Sequence, residues 1–161
     1  MKRISMIIFL LLALTAIGCS AEAEEPLFLS GKIDRIYGAD MDWGITLTAE
    51  NVSPTGLTVV CTQQGGSPTG IELSSGSFFW VEKLDNDSWS ELEVLPQEYE
   101  IGWTAEAWMI PFNDSVKWDI GWNSFYGELE PGKYRIAKEI MDFRGTGDFD
   151  QAIFYAEFEI E

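Results

Sequence analysis

Apolar and polar side chains alternate along much of the chain with a period of two residues, which is typical of β-strands that bury one face. In residues 44–51 the apolar positions are Ile45, Leu47 and Ala49. A Ser-Pro-Thr-Gly turn follows, and residues 57–63 then form a second alternating run. Two such runs joined by a short turn predict a β-hairpin.

The same alternation recurs toward the carboxyl terminus, where residues 116–122 place Trp118 and Trp122 on one face. Further strands are predicted in residues 71–73, 77–84, 89–95, 108–111, 133–141 and 153–160, and residues 143–151 are predicted to be a loop. Turn residues separate these runs, and no stretch has a helical period over ten residues. The pattern predicts an all-β fold, an antiparallel β-sandwich of about seven to nine strands.

Leu129, Pro131, Gly132 and Tyr134 have the spacing of a tyrosine corner, in which a tyrosine hydroxyl bonds back to the backbone before a turn. The ring packs inside the sandwich while the hydroxyl satisfies a backbone group that would otherwise lack a partner. We therefore expect Tyr134 to have a structural part, and Trp118 and Trp122 to lie in the core.

The amino-terminal residues have the features of a secretory signal. Lys2 and Arg3 precede an apolar run that is too short to span a membrane comfortably, and small residues follow it. Residues 1–18 are predicted to be a lipoprotein signal peptide, and residues 19–25 a flexible tether. Cys19 is the predicted lipidation site, and lipid attached there would anchor the protein on the extracytoplasmic side of a membrane.

The segment before Cys19, Thr-Ala-Ile-Gly, resembles a bacterial lipobox, although Ala16 stands where the commonest form has leucine. Ordinary cleavage after Ala21 or Ala23 is the alternative, since these small residues also fit a signal-peptidase site. Under that alternative the protein is secreted without an anchor.

The net negative charge of the chain argues against some classes of binding partner. Acidic residues outnumber basic ones 27 to 10, and the net charge is −17. A chain this negative is opposed to nucleic acid and to anionic membrane surfaces, so a nucleic-acid partner is not expected. The only cysteine besides Cys19 is Cys61, which the alternation places on a buried face, so no disulfide framework is predicted.

The sequence offers few residues suited to catalysis or metal binding. The chain has no histidine, so the commonest general base and the usual zinc ligands are missing. Residues 85–87 and 148–150 contain closely spaced acidic side chains, whose oxygen atoms are ligands of the kind that calcium prefers. These residues lack the spacing of a calcium loop, however, and they also fit ordinary turns. We therefore predict no catalytic residue, no metal and no cofactor.

Binding candidates lie in two irregular segments. Residues 96–107, with Trp103 and then Trp108 close behind, are predicted to expose aromatic rings that stack on sugars or contact protein. The second segment, residues 142–150, contains the remaining binding candidates, which are Asp142, Arg144, Asp148 and Asp150. Arg135, Lys138 and Arg144 are expected to form structural ion pairs with Glu128, Glu130, Glu139, Asp142 or Asp148.

Several short motifs together resemble a bacterial immunoglobulin-like domain found in secreted proteins and lipoproteins. They are Phe79-Trp80-Val81-Glu82-Lys83, Trp89, Asp119-Ile120-Gly121-Trp122, Tyr126-Gly127, the segment from Leu129 through Ile136, Lys138 and Asp142-Phe143-Arg144, preceded by the turn at residues 53–58. The likeness covers roughly residues 43–161. It implies that residues 26–161 form an immunoglobulin-like β-sandwich outside the cytoplasm.

The resemblance implies no catalytic mechanism. The expected function is therefore a lipid-anchored binding or interaction module, with an unidentified protein or glycan as its ligand and with no enzymatic activity of its own. Two alternatives remain open: a protease-inhibitor-like domain that acts through its end loops, and a carbohydrate-binding module that uses exposed tryptophans.

Overall fold

A computed structural model describes residues 36–97 and 101–161, and the predicted signal peptide, the tether and Cys19 lie outside these residues. The described residues form nine strands. These are β1 (Ile45–Ser53), β2 (Gly56–Gln63), β3 (Glu72–Ser75), β4 (Trp80–Asp85), β5 (Ser88–Glu91), β6 (Trp108–Ile110), β7 (Ser115–Gly121), β8 (Gly132–Gly145) and β9 (Asp148–Ile160).

The strands form two antiparallel sheets. The smaller sheet has the order β1-β2-β7. In the larger sheet, β9 pairs with β8 along nearly its whole length, while β4 and β3 pair with successive parts of β8 and are followed outward by β5 and β6. Inward side chains of both sheets share one core, which includes Val59, Trp118 and Ile136. The predicted all-β sandwich is confirmed.

Local chemistry accounts for the tight turns. Asn86 and Asp87 connect β4 to β5, and both have positive φ angles, of 48° and 61°. A two-residue hairpin of this twist needs positive φ at both central residues, which Asn and Asp adopt more readily than most side chains do. The predicted turn at residues 85–88 is confirmed.

The tyrosine corner is also confirmed. The Tyr134 hydroxyl donates a hydrogen bond of 2.8 Å to the Glu130 carbonyl, and its ring is buried. Beside it, the backbone N–H of Leu129 and the indole N–H of Trp122 both donate to the Pro54 carbonyl. These contacts tie the start of β8 to the turn between β1 and β2.

The prediction of a loop over residues 143–151 was wrong. Strands β8 and β9 pair as far as Gly145 and Asp148, so the turn itself consists of residues 146–147. Glycine and aspartate are frequent here and favoured a loop in the sequence, but cross-strand pairing with a neighbour ten or fewer residues away extends both strands. Two short helices that the sequence did not indicate are a 3-10 helix at Gly38–Asp40, before β1, and α1 (Asn123–Tyr126), after β7.

Candidate functional site

The outer face of the smaller sheet is polar. Register places these side chains on it: Thr46, Thr48, Glu50, Thr58, Val60, Thr62, Ser115, Lys117 and Asp119. Lys117 donates to Glu50 at 2.6 Å, and the Thr58 hydroxyl donates to Asp119 at 2.6 Å. Apart from Val60, these side chains carry hydroxyl groups or charges, which interact well with water.

The outer face of the larger sheet is different, because it exposes large apolar side chains. Tyr37, Phe78, Met109 and Phe149 are each between 41% and 48% exposed. Met109 faces outward beside Ser74 and Met141, and Phe149 pairs with Phe143. Large apolar side chains gathered on one face are typical of an interaction surface. We call this face the apolar face.

Arg135 lies on the apolar face in contact with aromatic rings. The guanidinium of Arg135 lies 3.8 Å from the centre of the Tyr155 ring and 4.5 Å from that of Trp89. Tyr37 extends the row by stacking on Tyr155, with 6.3 Å between ring centres. We call these four residues the arginine stack. Cation–π contacts of this kind stabilise the positions of the rings around Arg135.

Glu82 neutralises the positive charge of Arg135 in the arginine stack. It accepts hydrogen bonds from Arg135 Nε at 2.7 Å and from the indole N–H of Trp80 at 2.8 Å, and its side chain is buried. A buried carboxylate with a cation and an additional donor is satisfied rather than reactive. The pair therefore positions the surrounding rings. Arg135 was expected to pair with other acids, and that prediction was wrong.

Several grooves border the apolar face in the described part of the chain, and two of them include its exposed apolar side chains, Tyr37 in one and Phe78 in the other. The larger, of about 480 Å³, lies beside β1 and β9 and is lined mostly by apolar groups together with Arg135, whose charge Glu82 already neutralises. The smaller, of about 260 Å³, lies between β3, β8 and residues 104–107. Phe78, Met141, Glu106 and Glu139 contribute to its lining.

Trp103, one of the predicted binding residues, is 38% exposed. Its ring stacks on Phe125, with 5.3 Å between ring centres and 14° between planes, and Phe78 and Phe79 contact it edge to face. One aromatic face is thus occupied by Phe125. Trp103 borders the apolar face as part of an aromatic cluster.

Trp108 was expected to be exposed, and that expectation was wrong. It is half-buried, packs against the core, and lies 5.7 Å from Trp118 between ring centres. Its place in β6, paired with Ser75, turns the ring into the sandwich. The short apolar run in the sequence marked a strand correctly but did not indicate which face of it Trp108 would occupy.

The four charged candidates of the carboxyl-terminal hairpin separate into two groups. Arg144 donates to Asp148 at 2.8 Å and to Asp150 at 2.9 Å, as an exposed cluster at the hairpin end. These hydrogen bonds raise the pKa of Arg144. Asp142 is fully buried instead, and it accepts bonds from the backbone N–H groups of Thr69 and Gly70 at 2.9 and 2.7 Å.

Asp142 therefore fixes the loop before β3 and is not presented to a ligand. Arg144 supports the same loop, since it also donates to the Thr69 hydroxyl at 3.0 Å. The predicted ion pair of Arg144 with Asp148 is confirmed. No group of three or more His, Cys, Asp or Glu side chains suited to a metal ion occurs within residues 36–97 and 101–161.

Lys138 lies inside the sandwich, fully buried on the same face of β8 as Tyr134 and Ile136. Its ammonium donates to the carbonyls of Gly76 and Phe78. The expected ion pair with a carboxylate was wrong for this residue. Alternation from Tyr134 already places position 138 inward, and this signal would have identified a buried lysine.

The residues of the arginine stack were not selected as binding candidates from the sequence. Tyr155 alternates with core residues and shares its outward face with Glu157 and Glu159, and this was the available signal. That Arg135, Trp89 and Tyr155 meet depends on the pairing of β4, β5, β8 and β9.

Within the described parts of the chain, no helix has the length and apolar character needed to cross a membrane. Searches of the curated proteins and of the solved structures gave no match to the chain. The family model described as a bacterial Ig-like domain matches residues 41–159, which include all nine strands except the last residue of β9. The chain therefore belongs to the bacterial Ig-like domain family.

Proposed function

We propose that the protein is a non-catalytic interaction module that binds a protein partner through the apolar face. The observation that carries this proposal is the difference between the two outer faces of the sandwich. One is covered with hydroxyl groups and paired charges, whereas the other exposes Tyr37, Phe78, Met109 and Phe149. A soluble protein gains by burying exposed apolar side chains of this size against a partner.

Charge supports the choice of a protein partner. Carboxylates are interspersed among the apolar side chains of this face, at Glu72, Glu91, Glu139, Glu157 and Glu159. Outward positions of β8 and β9 include two basic residues, Lys133 and Arg135, and Glu82 neutralises the second. The resulting negative potential repels nucleic acid and anionic lipid but attracts a basic protein surface.

Site-specific photo-crosslinking in the organism's own cell envelope tests this proposal. A benzoylphenylalanine placed at Phe149, on the apolar face, should give a discrete crosslinked product. The same group at Thr48, on the exposed polar face of β1, is the matched control and should give none. Equal products at both positions, or no product at Phe149, would contradict binding through the apolar face.

We further propose that the protein acts outside the cytoplasm, anchored by lipid on Cys19. This proposal is supported by the basic start, the short apolar run and the small residues before Cys19. Palmitate labelling should be lost in Cys19→Ala, and globomycin should block processing. Label retained in Cys19→Ala, or soluble secreted protein cut after Ala21 or Ala23, would contradict the anchor.

The protease-inhibitor and carbohydrate-binding alternatives stay predictions. A protease panel and a glycan array test them directly. For the carbohydrate alternative, Trp103 is the residue to substitute, since Phe125 occupies one face of its ring and leaves the rest partly exposed.

A further inference from the structure

The smaller groove on the apolar face has a lining that combines apolar, hydroxyl and acidic groups. Its floor is formed by outward residues of β3 and β8, including Ser74, Met141 and Glu139, and its wall by residues 104–107. Phe78 closes one side. We infer that this groove binds a lysine or arginine side chain from an extended segment of the protein partner. This inference rests on the proposed interaction function and names the chemistry of the partner.

The groove has a fixed wall. The Ser77 hydroxyl accepts a hydrogen bond of 2.9 Å from the backbone N–H of Thr104. The same hydroxyl donates a hydrogen bond of 3.2 Å to the Thr104 carbonyl. These bonds hold residues 104–107 beside the link between β3 and β4. A groove with an ordered wall loses little entropy when a ligand enters it.

Its size favours a side chain over a separate small molecule. The groove encloses about 260 Å³. Pockets that bury small-molecule ligands usually measure roughly 300–1,000 Å³. A single long side chain, presented by a polypeptide that rests on the surrounding apolar face, matches the smaller volume.

The electrostatics favour a cation. Glu139 accepts a hydrogen bond from Gln151 at 2.8 Å, and within the described parts of the chain neither Glu139 nor Glu106 has an ion pair. Lys138 points to the other side of the sheet, where it bonds to Gly76 and Phe78.

The apolar lining complements the stem of such a side chain. Lysine and arginine pack their methylene groups along apolar surface while the charged end reaches a polar group. Met141 and Phe78 supply that surface, and Glu139 and Glu106 supply the charge. The exposed Phe78 ring adds an attractive face for a guanidinium or ammonium group.

A peptide titration followed by amide NMR tests the inference on the full mature chain. The probe is the capped pentapeptide Gly-Leu-Arg-Leu-Gly, and its matched control has glutamine in place of arginine. We expect saturable shifts for the arginine peptide at the amides of the groove, weakened by added salt. These are the amides of residues 74–76 and 104–107 and of Phe78, Glu139 and Met141.

Glu139→Gln keeps the shape of the side chain and removes its charge. It should weaken binding of the arginine peptide about threefold to tenfold, as expected for loss of one partly desolvated charge pair. Glu50→Gln is the matched variant, on the polar outer face of the smaller sheet. Binding by Glu50→Gln should equal that of the unaltered protein.

Equal binding of the two peptides, shifts outside the groove, or no shift at millimolar peptide would overturn the inference. Such a result would not contradict the proposed function. The crosslinking experiment tests that function separately, because Phe149 lies on the apolar face away from Glu139. Crosslinking at Phe149 without arginine-dependent shifts would retain the interaction function and remove the basic side chain from it.

Discussion

The ammonium of Lys138 lies 4.6 Å from the centre of the Trp108 ring, inside the sandwich between its two sheets. Trp118 of the opposite sheet is 5.7 Å from the same ammonium. The two indole rings and two backbone carbonyls thus replace the water that a lysine normally keeps. This arrangement explains why Lys138 is buried without an ion pair, and why the ring of the half-buried Trp108 turns into the sandwich.

Burial lowers the pKa of Lys138 from 10.5 to about 8. Between these values the unfolded chain binds more protons than the folded protein, so the free energy of unfolding should rise with pH. Below pH 8 both states carry the charge, and the cost of burying it is fully present. From pH 8 to 9 we expect a rise of about 1 kcal/mol from this group.

Urea denaturation at pH 7.5, 8 and 9 measures this rise. The variant Lys138→Met keeps the length of the side chain and removes the titrating group, so its stability should lack this rise with pH. The range stops at pH 9 because burial also raises the pKa of Cys61, from 9.0 to about 12, which lowers stability above pH 9. Equal slopes in the two proteins would contradict a buried, titrating Lys138.

Cys61 should be chemically silent in the folded protein. Its thiol is fully buried, and the raised pKa leaves almost no thiolate at neutral pH. In a Cys19→Ser background, a disulfide reagent at pH 8 should therefore react only as fast as the protein unfolds. Protein denatured in urea serves as the control and should react at once. Rapid stoichiometric labelling of the native protein would show that Cys61 is accessible.

Removal of the Tyr134 hydroxyl tests the tyrosine corner. Tyr134→Phe deletes the 2.8 Å bond to the Glu130 carbonyl and keeps the ring, so unfolding should become easier by about 1 kcal/mol. Tyr37→Phe, at an exposed ring, is the control and should change the denaturation midpoint little. An unchanged midpoint in Tyr134→Phe would argue that the bond contributes nothing to stability.

Asp142 should matter for stability more than the acids around it. Asp142→Ala removes the acceptor for the Thr69 and Gly70 N–H groups, and we expect a loss of roughly 2–4 kcal/mol. Amide exchange at Thr69 and Gly70 should also accelerate. Asp150→Asn, which alters an exposed partner of Arg144, is the control and should cost less than about 1 kcal/mol. Equal losses in the two variants would contradict this assignment.

Sequence alternation predicted much of the framework. It indicated the hairpin of β1 and β2, the inward faces of Trp118, Trp122 and Cys61, and the corner at Tyr134. These features depend on residues close together in the chain, where a period of two and the chemistry of a turn suffice. The candidate site was predicted less well. Trp103 borders the apolar face, whereas Trp108 and Asp142 are buried or nearly so and serve the fold.

The tertiary structure alone decided which residues meet across the sheets. Arg135 reaches Glu82 because β8 pairs with β4, and it reaches Tyr155 because β8 also pairs with β9. The sequence by itself determined that the chain forms strands, and which side of most of them faces inward, because side-chain direction follows from a local period. It did not determine the apolar face, because that surface is assembled from strands far apart in the chain whose pairing no local pattern specifies.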